Sequence, residues 1–267
     1  MRSMHCEEEN IQRVGSSPSN RSLERGMEIL RAFRPGSELL GNGELAERTG
    51  LSAATVSRLT QTLVRCGFLE HDPHARAYRL AAPVLSLAHA MLSGSSVLQV
   101  AAPMMRTVAE KRRINVGLAA PDRDEMVYLE SVRYNRKVSL RNIVAGQRIP
   151  MELTSLGRAY LAVAPKSRRE ELFRIFRARR PGDWKVVERE ILEASESVMS
   201  VGYCAASWQP EVVALAAPIQ VPARPVLVLN FSLATQAPIS EVAGQLGAPL
   251  IELARSIIDG LLRTQTP

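Results

Sequence analysis

Two short helical patterns separated by Thr49-Gly50-Leu51-Ser52 constrain this chain more than any other feature. The first starts near Asn42–Gly43, runs through Glu-Leu-Ala-Glu-Arg-Thr and stops at Gly50. A glycine there can take the left-handed conformation that turns a chain sharply after a helix. Ser52 then offers an N-cap oxygen to a second helix, residues 53–66, which Gly67 stops. Val56, Leu59 and Leu63 recur at three- and four-residue spacing and are expected to face inward. Ala53, Thr55, Ser57, Arg58, Gln61 and Thr62 fall on the opposite face. A short glycine turn sets two helices at a steep angle, so the second can enter a major groove while the first braces the backbone.

The flanking segments extend this pattern. Upstream, Leu23, Met27, Leu30 and Phe33 form the apolar stripe of a helix that ends before Pro35-Gly36. Downstream, 68–70 and 77–80 are short β-like stretches joined by His71-Asp72-Pro73-His74-Ala75-Arg76, a hairpin with a basic tip. Helix, turn, helix and wing in that order favour a reader of double-stranded DNA over a three-helix packing module. The expected contacts are Ser52, Ala53, Thr55, Ser57, Arg58, Gln61 and Thr62 on the helix, with His74 and Arg76 on the wing. Small residues let the helix approach closely, hydroxyls bond phosphates or base edges, and Arg58 can pair with guanine or grip a phosphate. His71 and His74 resemble half a metal site, but no Cys or His partner has suitable spacing, so neither metal nor cofactor is expected.

Net charge does not carry that reading. The chain is +7, but residues 1–85 carry +1, residues 86–185 carry +10 and residues 186–267 carry −4. The basic excess therefore lies outside the expected reader. Residues 1–19 read as a disordered polar tail without the apolar stretch of a secretory signal. No apolar run approaches the roughly 18–20 residues that span a bilayer, so no membrane contact is expected. Cys6, Cys66 and Cys204 lie far apart, which fits a reducing cytoplasm.

The expected division is a winged helix-turn-helix over 20–82 (reader 42–66, wing 68–80), linker helices over 83–112, and a second domain over 113–265. The stretch 81–102 is nearly free of charge, and Pro83 is well placed to open a helix. Val84, Leu85, Leu87, Ala88, Met91 and Leu92 follow at helical spacing. That apolar face suits pairing with a second copy of the chain, the alternative being an ordinary packed helix. Pro103 implies a kink or a restart. Beyond residue 113, strands are expected at 115–120, 126–132, 137–144, 212–221 and 225–233, with helices at 156–163, 168–179, 184–200 and 239–262. The fold class is α+β, an antiparallel sheet with helices packed on it.

These residues resemble the IclR family of bacterial transcriptional regulators. Arg21-Ser22-Leu23-Glu24-Arg25-Gly26-Met27-Glu28-Ile29-Leu30 is similar to that family's opening helix. Glu44-Leu45-Ala46-Glu47-Arg48-Thr49-Gly50-Leu51-Ser52, Thr55-Val56-Ser57-Arg58-Leu59 and Gly67-Phe68-Leu69-Glu70 are similar to its reader and wing. The resemblance continues through Thr154-Ser155-Leu156-Gly157-Arg158-Ala159, Gly202-Tyr203 and Leu215-Ala216-Ala217-Pro218-Ile219. It implies a winged reader joined by a linker helix to a GAF-like effector domain, assembly as a dimer or tetramer, and a small organic, often aromatic, acid as effector. Carried over by motif, the pocket is lined by Ser155, Leu156, Ala216, Pro218, Asn230 and Ser232. A helix start at Ser155 suits a carboxylate, because its free N–H groups and dipole favour an anion. Trp208 can offer a stacking face or serve as a structural residue, and Arg141 can reach the pocket or stand exposed on a strand.

The expected function is ligand-responsive regulation of transcription, as repressor or activator, of an operon for aromatic or small organic acid metabolism. The alternative is an enzyme acting on such acids through the C-terminal domain. It would need an activated nucleophile, paired carboxylates or a metal cluster. No histidine lies beyond His89, and Cys204 lacks a histidine base, so no catalytic residue is assigned.

Overall fold

The computed structural model describes residues 20–134 and 144–264. The chain divides into two compact units between Leu87 and Ala88. The expected tail at 1–19, Arg141 and nearly all of the strand expected at 137–144 lie outside the described residues.

The first unit opens with α1 (Arg21–Arg31), capped by Asn20, whose Oδ1 accepts the Ser22 and Leu23 amides at 3.1 Å. Then come β1 (Leu40–Gly41), α2 (Asn42–Thr49), α3 (Ala53–Arg65), β2 (Leu69–Asp72) and β3 (Ala77–Leu80). Gly50 closes α2 at φ 68°, and the Ser52 hydroxyl caps α3 by accepting the Thr55 amide at 3.4 Å. The antiparallel sheet runs β1-β3-β2. β1 is two residues long, too short to show an alternation in sequence. Ile29, Phe33, Leu40, Leu45, Val56 and Leu69 form the core.

Two details differ from the sequence expectation. Leu23 and Met27 are exposed, because the inward line of α1 runs through Gly26 and Ile29, one step round from them, while Phe33, just past the helix, is buried as expected. On α3, Leu59 and Leu63 are half-buried, while Thr60 is wholly buried. The Thr60 hydroxyl donates to the Val56 carbonyl at 3.0 Å, which satisfies its polarity inside the core.

α4 (Ala82–Ser93) has no buried residue. Gly94 and Ser95 break the helical pattern, and Ser95 caps α5 (Ser96–Arg112) through the Leu98 amide. The restart falls there, and α5 runs through Pro103. Expected as the second half of a linker, α5 instead buries Leu98, Ala101, Met105 and Ala109 in the core of the second unit.

The rest of that unit is β4 (Asn115–Asp122), β5 (Glu125–Val132), β6 (Arg148–Pro150), α6 (Ser155–Val163), α7 (Lys166–Arg179), α8 (Trp184–Val201), β7 (Cys204–Gln209), β8 (Val212–Ile219), β9 (Leu227–Ala234) and α9 (Ile239–Arg263). The six strands form one antiparallel sheet in the order β6-β5-β4-β9-β8-β7. Val213, Leu215 and Ala217 of β8 pack with Leu229 and Phe231 of β9 against α5 and α9. Cys204, Ala216 and Val228 point to the other face, in the cluster that holds α6, α7 and α8. This is strand alternation at work: residues two apart share a face. β6 and β7 were not anticipated. β6 has three residues, and the β7 sequence Cys-Ala-Ala-Ser-Trp-Gln gives no hydrophobic alternation. No single helix among the described residues is long and apolar enough to cross a membrane.

Candidate functional site

α3 presents a solvent arc between two depressions. On one flank Thr55, Arg58 and Thr62 line a groove of about 570 Å3 with Leu23, Met27 and Leu30 of α1. On the other, Gln61 and Arg65 meet His71 and Tyr78 of the wing. Ser52, Ala53, Arg58, Gln61 and Thr62 are exposed, whereas Thr55 and Ser57 are half-buried. Three hydroxyls are partly engaged: Ser52 Oγ and Thr55 Oγ1 share a hydrogen bond of 2.9 Å, and Thr62 Oγ1 donates to the Arg58 carbonyl. Thr55 and Thr62 keep acceptor capacity for an outside donor, and Ser52 keeps either a lone pair or its own proton. Arg58 is exposed, as are Arg48, which bonds the Ala32 carbonyl at 3.0 Å, and Arg79, which pairs with Asp72.

The wing tip is shaped by Asp72, whose Oδ1 accepts the His74 and Ala75 amides, each at 3.0 Å. The Ala75 bond is the largest influence lowering its pKa. Arg76 takes a left-handed φ of 49° at the tip, and both His74 and Arg76 are exposed. The expected contacts therefore fall on one helix surface and one hairpin of the same unit. Arg65 was overlooked, since the last turn of a helix carries basic residues for electrostatic reasons alone.

In the second unit, one cross-strand row joins Cys204, Ala216, Asn230 and Gly117. The Cys204 thiol donates to the Ser155 carbonyl at 3.4 Å, which seats the start of α6 over that row. Burial pushes the thiol up to about 12, against the pull of the Arg158 charge, so it stays protonated at neutral pH. Ser155, Leu156, Ala216 and Asn230 are all buried. Pro218 and Ser232 lie two positions from the row, on β8 and β9, and share its face. Asn230 Oδ1 is buried without a hydrogen-bond partner. Its side chain bonds Tyr128, whose phenol is pushed well above its ordinary value by burial. Gly117 leaves room for both: a Cβ there would lie 2.4 Å from Asn230 Oδ1 and 2.5 Å from the Tyr128 ring.

Thr154 caps α6 by accepting the Gly157 amide at 3.3 Å. Helix geometry leaves the Ser155 and Leu156 amides at that end without intrahelical acceptors. Beside this turn lies a cavity of about 490 Å3, whose wall includes Arg158, Glu190, Cys204, Ala206 and Trp208. Trp208 is the one expected effector residue on that wall; Ser155 reaches it through Cys204. Sequence reasoning overlooked Arg158 and Glu190, which are 32 residues apart and joined by an ion pair. No group of three or more His, Cys, Asp or Glu among the described residues is arranged to hold a metal ion.

Residues 22–73 match the IclR helix-turn-helix domain, and residues 89–258 match the bacterial transcriptional regulator IclR C-terminal domain. The chain is 36% identical over 183 residues to the HTH-type transcriptional regulator TsaQ1/TsaQ2 of Comamonas testosteroni, covering 68% of this chain and 66% of that relative. It is similar to the crystal structure of an IclR family transcriptional regulator from Brucella abortus, with TM-score 0.82, 34% identity and 94% of each chain covered. A structure of an IclR homolog complexed with 4-hydroxybenzoate, from Microbacterium hydrocarbonoxydans, is similar at TM-score 0.66 and 25% identity, covering 91% of this chain and 99% of that one.

Proposed function

The chain belongs to the IclR family of bacterial transcriptional regulators, and we propose that it reads promoter DNA with α3 and the wing under control of a small aromatic or other organic acid. Its relatives and matched domains are those of regulators, not of enzymes. Binding of 4-hydroxybenzoate by one structural relative supports the aromatic class. The observation that carries the effector reading is the Asn230 amide oxygen, buried with no partner on the sheet face that packs against α6, two strands from the Cys204–Ser155 contact. Such an orphan is costly unless a ligand or water completes it. An acid held there would direct its carboxylate to the first turn of α6 at Ser155 and Leu156, where N–H groups and the helix dipole favour an anion. Ala216, Pro218, Asn230 and Ser232 would form the floor, and Trp208 a neighbouring ring face. Arg141 remains a candidate contact outside the described residues.

Calorimetric titration of aromatic and aliphatic acids into the full chain tests this reading. A Ser155→Trp variant fills the proposed site and should lose binding by at least tenfold. An effector that bound the variant as tightly as the parent would show that the site lies elsewhere. Binding can regulate only if the ligand favours one arrangement of the DNA-reading units over another.

Self-association is part of the same proposal, because one winged module buries too little surface for tight, specific DNA binding. α4 exposes Leu85, Leu87 and Met91 and buries none of its residues, an apolar surface that a second copy would cover. Sedimentation at micromolar concentration should give a dimer or tetramer. Replacing Leu85 and Met91 by Glu should shift the protein to monomer; a parent that sediments as monomer with and without DNA would refute it.

A further inference from the structure

The cavity beside α6 contains a charge that the proposed function does not use. Arg158 is buried to 8% exposure, yet it lines a space large enough for a small aromatic acid. Its Nε donates to the Glu152 carbonyl at 3.1 Å, and a terminal nitrogen donates to the Glu190 carboxylate. The two partners differ in freedom. The Glu152 carbonyl is fixed backbone, whereas the Glu190 side chain is 41% exposed and lines the same cavity from α8. Trp208 stands on the opposite strand of that cavity.

We propose that Arg158 is the carboxylate anchor of the effector and that Glu190 is its internal stand-in, displaced to solvent when an acid enters. The inference rests on the proposed function, since it names the group that holds the acid at the first turn of α6. Removing water strengthens a guanidinium–carboxylate contact, and a planar fork can hold a carboxylate through two parallel hydrogen bonds. A free acid competes with Glu190 only if it gains something further. Contact of its ring with the Trp208 face and burial of its apolar surface supply that difference. Glu190, while paired with Arg158, denies the guanidinium to an incoming anion, and Glu193 on the same wall is paired with Arg189. Because Arg158 sits on α6 and Glu190 on α8, the exchange replaces an α6–α8 tie with a ligand contact.

The test measures dissociation constants of benzoate, 4-hydroxybenzoate and 3,4-dihydroxybenzoate on the full chain, with 4-hydroxybenzamide as the uncharged control. Glu190→Gln removes the competitor and a like charge, and should tighten acid binding threefold or more while leaving the amide unchanged. Arg158→Gln should weaken acid binding at least tenfold, and adding Glu190→Gln to it should recover clearly less than the gain seen in the parent, since only the like-charge effect is left. That non-additivity separates an exchange from two independent structural effects. If Arg158→Gln fails to fold, Glu190→Gln alone decides, because its side chain is half-exposed. Unchanged or weaker acid binding by Glu190→Gln overturns the exchange. Acids that bind the parent and lose affinity in Ser155→Trp, but not in Arg158→Gln, leave the effector site standing and remove Arg158 from it. If neither these three acids nor the aliphatic acids of the first titration bind the parent at millimolar concentration, both readings fall.

Discussion

Gly157→Ala should unfold the second unit about 6–12 °C below the parent, corresponding to roughly 3 kcal/mol or more. A Cβ at this position would lie 2.0 Å from the Met151 carbonyl oxygen, 2.3 Å from its Cα and 2.4 Å from its carbonyl carbon. All three are backbone atoms, so no side-chain rotation relieves the overlap. α6 would have to lift from the segment before it, and its first turn would leave the sheet row of Cys204, Ala216 and Asn230. The Cys204–Ser155 hydrogen bond would go with it. Gly244→Ala is the matched control: on α9 a Cβ meets nothing within 4 Å, and helix propensity predicts a gain of up to about 1 kcal/mol. Thermal unfolding of both variants checks the difference. A Gly157→Ala midpoint within 2 °C of the parent would mean that α6 tolerates displacement. That result would also weaken the view of its first turn as a rigid ligand seat, because precise positioning requires a supporting shell that does not yield.

The DNA-reading unit shows where the sequence was legible. Gly50, Ser52 and the spacing of Val56 identify the reader because each acts locally: a left-handed turn, a cap and a helix face need only near neighbours. The helices expected in the second unit agree with α6, α7, α8 and α9 to within about two residues at each end. β1, β6 and β7 were not legible. The first two are too short to alternate, and β7 carries small residues whose strand form comes from pairing with β8 rather than from propensity. The stripe on α1 was misread by one step, because Gly26 gives no hydrophobic signal although it occupies the buried line. Gly157 and Arg158 belong to a quoted motif, but their roles depend on Met151, Glu152 and Glu190. Distance in sequence hid the cavity. Its wall joins α6, α8 and β7, and the Arg158–Glu190 pair follows no helical or strand spacing. The grouping of Ser155 with Asn230 came from family resemblance; in the fold they are connected through the Cys204–Ser155 hydrogen bond and the registers of β7 with β8 and of β8 with β9.

The reader face should respond to two substitutions that leave its core untouched. Arg58→Ala removes an exposed guanidinium, and Thr55→Ala removes a hydroxyl while the Ser52 oxygen still caps the Thr55 amide. Against a duplex selected from random sequence by the parent protein, Arg58→Ala should weaken binding by about 1–3 kcal/mol if the guanidinium reads a base. That corresponds to roughly a five- to hundred-and-fiftyfold rise in dissociation constant. The loss should then be largest on the preferred site and small on unrelated duplexes. A phosphate contact gives a different pattern: uniform weakening across sequences and a salt dependence shallower by about one counterion. The double variant should lose more than either single one, since Thr55 and Arg58 are one helical turn apart on the same flank of α3. Effector affinity of the double variant, measured without DNA, should equal that of the parent. Linkage then adds a second readout: whatever factor the effector imposes on DNA affinity, DNA must impose on effector affinity, and the variant should show that factor only at the higher DNA concentrations needed to saturate it. Undiminished binding of the selected duplex by a double variant with an unaltered unfolding midpoint would remove α3 from the interface and shift the assignment to the wing, where His74→Ala and Arg76→Ala are the next substitutions to make.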